Sequence, residues 1–259
     1  MRQFDVFVWG APAKDPPFTD PALGWFLGNN INRNLENSDA EWLVFAHSSV
    51  NIDRDFLNDL AQAIEGFPMV DAFAPRVNLT AGGTATDATA KGSQKFKGGY
   101  VLQKWSGLQM IADDAQLRFV AAPHPLVAAF SRRIVQRTGR FDETLTTPIA
   151  LVDFTLRMYH AGGRMFSIPY LVTNKLTDSL AGGQILEPTS TPLELSLALY
   201  KNFGFLRNFL FYLAHPGTVL PLVKNIKALD TKRDAAILLS KLSEETLKEI
   251  TGSRGKGAH

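Results

Sequence analysis

The chain has 259 residues, 45% hydrophobic and 10% aromatic, enough for one sizeable core or for a domain with a helical appendage. It has no Cys, which excludes disulfides and thiolate metal sites; its first apolar run is too short for a signal-peptide core, and no stretch of ~18 uncharged apolar residues offers a membrane span. The formal charge of +2 is uneven: residues 1–200 carry 17 Lys and Arg against 20 Asp and Glu, while residues 201–259 carry 10 against 5, so the C-terminal segment is either a handle for an anionic surface or a solvated helix face.

Residues 4–10 (FDVFVWG) read as a buried strand stopped by Gly10, and the Pro-rich APAKDPPFTDPALG that follows reads as a loop. Residues 28–42 give a helix with Leu35 inward that ends near Ser38 and Asp39. WLVFA (42–46) is the next strand, and it breaks into His47, Ser48 and Ser49. Polar side chains at the carboxyl end of a strand are where α/β proteins place chemistry. A helix follows, capped by Asp53, with Phe56, Leu57, Leu60, Ala61 and Ile64 recurring at spacings of three and four, and ended by Gly66 and Pro68. VDAFAPRV (70–77) is another strand, and strand, helix, strand in this order predicts a βαβ unit in a parallel sheet.

Residues 80–99 form a Gly/Thr/Ala/Lys-rich loop, either a lid or a passive insertion. Residues 126–130 are a strand, 132–138 a short helix closed by Gly139, 151–161 a helix stopped by Gly162 and Gly163, and 164–172 a last strand. Residues 192–250 are helical with breaks near Pro216 and Pro221. Glu194, Lys201 and Arg207 punctuate this apolar stretch, which makes it amphipathic rather than spanning. Its aromatic residues (Phe203, Phe205, Phe209, Phe211, Tyr212) either pack on the sheet domain or meet a membrane surface or a partner. The chain thus divides into an α/β domain, 1–190, and a helical segment, 191–259. We expect a cytoplasmic protein, at the membrane surface if the basic segment docks there.

Two stretches carry a resemblance: NINRNLENSDAEWLVFAHSSVNIDRDFLNDLAQAI, and LVAAFSRRIVQRTGRFDETLTTPIALVDFTLRMYHAGGRMFSIPYLVTN. The second keeps Gly139, Phe141, Asp142, Glu143, Asp153, Arg157 and Gly162 or Gly163 in the order and at about the spacing of a Gly-x-Phe-Asp-Glu and Glu-Asp-x-Asp-Leu-x-x-Arg pattern. Together they resemble the inverting family-two glycosyltransferases of the GT-A fold. That resemblance implies a mostly parallel α/β sheet flanked by helices. It also implies transfer of a sugar from a nucleotide-diphosphate donor to a glycan, lipid-linked or protein acceptor.

In that family an Asp-x-Asp pair holds Mn²⁺ or Mg²⁺ against the diphosphate, whose departure builds negative charge. One carboxylate removes the acceptor proton in a single inverting displacement. Aligned on the family phrase, His47 and Ser49 stand at the two Asp positions with Ser48 between them, so all three mark the donor diphosphate region. This argues against the usual metal, since Ser is a poor ligand for either ion; His47 is the one candidate ligand. The first two acids of the second motif are replaced by Ala150 and Leu151. Asp153 survives, either as the catalytic base or as the structural partner of Arg157 four residues on. Asp142, Glu143 and Arg157 are implied to position the acceptor, and Trp105 and His124 are sugar-side contacts or core. With about forty residues ahead of His47, residues 4–10 align with the family's second strand, and the first strand with its base-binding loop is expected to be missing.

Two readings follow. One is an active transferase. The other is an inactive binding or scaffold module that pairs with a protein partner or a second copy. Nucleic acid is not expected, because the tail interleaves acids with bases and has no docking motif. A serine hydrolase is not expected either, for want of a Gly-x-Ser-x-Gly elbow.

Overall fold

The computed structural model describes residues 2–10, 20, 23–28, 30–79, 96–103, 106–112, 116–175, 192–238 and 240–251. Trp105, nearly all of the Pro-rich segment after Gly10, residues 80–95 of the expected lid and the 190/191 division lie outside them.

Period-two alternation in the first strands sets the layers. Phe7, Trp9, Leu43 and Phe45 join one apolar cluster, and Phe4, Val6, Trp42 and Val44 join another on the opposite face. These residues form β1 (Phe4–Trp9) and β3 (Trp42–His47), paired in parallel from Phe4 with Trp42 to Trp9 with His47. Strands buried on both faces need near-continuous apolar runs, which β1 interrupts only at Asp5, buried with Arg2 and Ser38 as its partners. Between them in sequence come β2 (Leu23–Leu27) and α1 (Ile31–Glu36). β2 pairs in parallel with the other edge of β1. No strand was expected there. The Pro-rich lead-in hid a five-residue strand.

Next come α2 (Arg54–Gly66), β4 (Ala72–Phe73) and β5 (Arg76–Asn78). The Asp53 carboxylate accepts the Phe56 N–H at 2.9 Å, as expected of a cap. The remaining strands are β6 (Phe96–Gln103), β7 (Gly107–Ala112), β8 (Arg118–Phe119), β9 (Val127–Ser131), β10 (Met165–Ser167) and β11 (Val172–Asn174). The large sheet has the order β2-β1-β3-β9-β4-β10-β8, and five of its seven strands point one way. A second sheet has the order β11-β5-β6-β7.

Two strands predicted as single runs are each split between these sheets. Pro75 separates β4 from β5, and Pro169 lies between β10 and β11. Proline cannot donate to a ladder, so each chain leaves the large sheet there and enters the small one. The paired strands move together: β4 lies parallel to β10, and β5 parallel to β11.

The helices α3 (Arg132–Thr138), α4 (Thr147–His160), α5 (Pro192–Phe203), α6 (Phe209–Ala214), α7 (Val219–Leu238) and α8 (Glu244–Ile250) complete the chain. α4 starts earlier than predicted, with Pro148 in its first turn, where no N–H partner is needed. For the same reason α7 runs through Pro221 without the expected break, whereas Pro216 does open a separate 3₁₀ turn. Leu195, Leu199, Tyr212, Leu222 and Ile250 belong to the same apolar cluster as Phe130 and Phe154, so the C-terminal helices pack on α4 and the sheet beneath it.

Candidate functional site

From β1 the chain goes to β2 on one side, then crosses back to β3 on the other. At such a reversal the connections diverge and a crevice opens at the carboxyl ends of the strands. Trp9 ends β1 with Gly10 after it, and His47 ends β3 with Ser48 and Ser49 after it. Gly10 has φ +101°, and a Cβ on it would stand 2.5 Å from His47 Nε2 and 3.0 Å from Ser48 Oγ. Only glycine combines that backbone with that approach. The Ser48 N–H donates to the Trp9 carbonyl at 2.8 Å, and the Trp9 ring meets His47 edge-on at 4.5 Å.

His47 Nδ1 accepts the Ser49 backbone N–H at 3.0 Å and lies 2.7 Å from the Ser49 hydroxyl. A nitrogen that accepts a backbone N–H is unprotonated, so the neutral ring carries its proton on Nε2. Burial, then the charge of Lys175, holds His47 below its ordinary value. Lys175 follows β11 and bridges Val50, two residues past the Ser48 turn. Its charge reaches His47 from a position too far along the chain for any local pattern to point to it.

This donor set does not fit a divalent cation. Mg²⁺ and Mn²⁺ favour carboxylate oxygens, and here stand two hydroxyls and an imidazole whose Nδ1 is already engaged. Among the described residues no three His, Asp or Glu side chains converge on a common point. What stands at these strand ends is the Ser48 and Ser49 hydroxyls, with the Lys175 charge acting on His47, groups that suit an anion.

A second feature lies where α1 meets the α3–α4 connection. Asn32 is buried, donates from Nδ2 to the Phe141 carbonyl (2.9 Å) and Glu143 Oε1 (2.8 Å), and accepts the Phe141 N–H at 2.9 Å. It pins this turn beneath an open cavity of ≈ 360 Å³ lined by Asn30, Asn32, Asp142, Glu143, Leu145 and Ala150, among others. Glu143 is exposed there. Burial pushes the Asp142 carboxyl up, but hydrogen bonds from Thr144 and Lys201 and the Lys201 charge outweigh this and hold it well below the usual carboxylate range.

Asp153 and Arg157 are not at this cavity. Asp153 is fully buried; Oδ1 takes Lys201 Nζ at 2.7 Å and Asn202 Nδ2 at 3.1 Å, and Oδ2 takes Arg157 Nε at 2.9 Å. Arg157 spends its other nitrogens on the Thr138 and Arg140 carbonyls. Both Asp153 oxygens and all three Arg157 nitrogens are thus engaged within the fold, and neither residue is brought to the cavity beside Glu143. Both residues fasten α4 to α5 and to the end of α3. Lys201 also reaches Asp142 at 3.0 Å, and Lys232 of α7 meets the same carboxylate at 3.2 Å. Glu194 of α5 brings a further carboxylate to the start of α4, where it accepts the Thr146 N–H at 3.0 Å and hydroxyl at 2.6 Å.

His124 is core rather than a sugar contact. It is 1% exposed, and burial, aided by the Lys97 charge, pushes it down to about 3. The unfolded chain protonates this ring below 6.5, so between pH 6.5 and about 3 it binds one more proton than the fold. Stability contributed by the neutral ring is complete above that window and falls as pH drops through it, by about 1.4 kcal/mol per unit. Urea midpoints of the wild type and His124→Gln between pH 7.5 and 4.5 should differ by this slope; parallel curves would refute the assignment.

The sheet order, the crevice and the helical cover define a GT-A-like fold. Among solved structures, the chain superposes on GalNAc-T7 with UDP, GalNAc and Mn²⁺ at a TM-score of 0.57 and 10% identity, over 91% of this chain. It spans about half, 54%, of that protein's chain. The mannosyltransferase PcManGT from Pyrobaculum calidifontis with GDP-Man and Mn²⁺ matches more loosely (TM-score 0.41, 15% identity, 92% of this chain and 86% of that one). So does S. aureus TarS 1-349 with UDP-GlcNAc (0.43, 13%, 96% and 89%). No protein-family model matches the sequence, and no curated protein does.

Proposed function

We propose that the protein binds a nucleotide-diphosphate sugar at the carboxyl ends of β1 and β3 and transfers the sugar, with inversion, to a glycan, lipid-linked or protein acceptor. The observation that carries this reading is the reversal of strand order at β1, where Gly10 lets the His47 and Ser48 side chains close in on the carboxyl end of the strand. The diphosphate lies over His47, Ser48 and Ser49, and Lys175 meets the charge that develops as it leaves. The acceptor enters the cavity beside Asn30 and Asn32. Glu143, the exposed carboxylate there, takes the proton from the acceptor hydroxyl as the new glycosidic bond forms and the nucleoside diphosphate departs. Asp142, held ionised by Lys201 and Thr144, keeps the turn in place.

A panel of UDP- and GDP-sugars tested by calorimetry in EDTA and in Mn²⁺ should give binding to at least one donor in EDTA. No response to any donor sinks the proposal. Glu143→Gln should then lower turnover about 100-fold or more with donor affinity unchanged.

A second reading has its own support. The acids implied at the start of α4 are Ala150 and Leu151, both buried, and Asp153 is consumed by ion pairs. On that reading the protein binds a donor or glycan without transfer. Donor binding with no turnover on any acceptor, and no effect of Glu143→Gln, would favour it.

A further inference from the structure

The segment after α5 presents an apolar face that the core leaves uncovered. Phe211 and Tyr212 are buried, whereas Leu206, Leu210 and Leu213, spaced by four and three along one helical face, are 75%, 47% and 60% exposed. The first turns of α7 repeat the pattern. Leu222 and Leu229 face the core, while Leu220 (65% exposed) and Val223 (54%) face outward, followed on the same side by Lys224 and Lys227. Soluble monomers rarely leave so many large apolar side chains together in water.

The charge around this face selects its occupant. From residue 205 to 227 the sequence carries three bases, Arg207, Lys224 and Lys227, and no acid. All three are exposed, and none is ion-paired to a described acid. A second copy meeting this face about a two-fold axis would set like charges together without an acid in the stretch to answer them. An anionic lipid surface answers all three while its acyl boundary takes the leucines. No helix among the described residues is long and apolar enough to cross a membrane, so the contact is with one surface.

We propose that residues 205–227 lie on an anionic phospholipid surface, with Leu206, Leu210, Leu213 and Leu220 in the headgroup boundary and Arg207, Lys224 and Lys227 on the headgroups. This rests on the helical segment alone and is independent of the donor site.

The full chain should pellet with vesicles of 70% phosphatidylcholine and 30% phosphatidylglycerol, and far less with phosphatidylcholine alone. Each base contributes about fivefold to partitioning, so Lys224→Gln with Lys227→Gln should weaken it about 25-fold. Leu206→Ser with Leu213→Ser should abolish it, with the thermal midpoint kept in both variants because these side chains face water. No pelleting with either vesicle, or equal pelleting with both, overturns the proposal. So does a dimer in light scattering that Leu206→Glu with Leu213→Glu dissolves, since a second copy then covers the face.

Discussion

Asp153→Asn is expected to cost about 3 kcal/mol of folding stability, a fall of roughly 6–12 °C in thermal midpoint for a chain of this size, with nucleotide-sugar binding unchanged. The carboxylate has no exposed surface and sits between two cations, Arg157 on its own helix and Lys201 on α5. Removing one partner of a buried pair leaves the other charge desolvated without compensation, and this makes the loss larger than the pair's net worth. Asparagine keeps the shape and loses the charge, so packing is not what the substitution tests. Lys201 retains Asp142 at 3.0 Å, and Arg157 retains two carbonyls, which keeps the cost near the lower end of the range for broken buried pairs. A variant whose midpoint stays within 2 °C of wild type while turnover vanishes would return Asp153 to the role of base.

The Asp153–Arg157 pair was legible in the sequence as two residues four apart on a helix, but its meaning was not. Burial and the third member, Lys201, come from a helix some fifty residues on. The same limit explains what else escaped. β1, β3, α2 and β9 announce themselves through apolar runs, alternation or a cap, and they stand where they were read. β6 and β7 did not. β6 carries Gly98 and Gly99 in its middle, and glycine weakens any strand signal. Its reason is tertiary: a Cβ on Gly99 would stand 2.5 Å from the Ala122 carbonyl oxygen. The splitting of two strands at Pro75 and Pro169 was written in the sequence, since a proline inside a strand pattern demotes it. The partner that receives each half was not.

At the candidate site the sequence marked the place and left its chemistry open. His47, Ser48 and Ser49 lie at the carboxyl end of β3, as a polar break after an apolar strand implies. The tautomer of His47 depends on the Ser49 backbone, and its electrostatics on Lys175, neither of which a linear pattern displays. Glu143 and Asn32 meet across more than a hundred residues. The acids of the family pattern are absent from the start of α4, yet Asp142, Glu143 and Glu194 come near that turn from other elements.

Lys175→Glu is expected to weaken nucleotide-diphosphate binding about 100-fold or more. A charge-assisted contact to phosphate accounts for much of that factor, and the reversed charge adds repulsion. Lys175 is partly exposed at the end of the small sheet, so the fold should tolerate the change. An independent readout comes from His47. Lys175 is one of the two causes that depress its protonation, so a carboxylate in its place moves the ring's titration upward; burial still opposes protonation. Imidazole proton shifts followed against pH report this without any donor present. A raised His47 titration with lost donor binding places Lys175 on the diphosphate. A raised titration with unchanged donor binding separates the lysine from the ligand and overturns its role. An unmoved titration contradicts the proximity itself. Lys175→Gln removes the charge without adding a carboxylate, and Mn²⁺ should not restore donor binding to it, because two hydroxyls and one imidazole give the ion too little to hold.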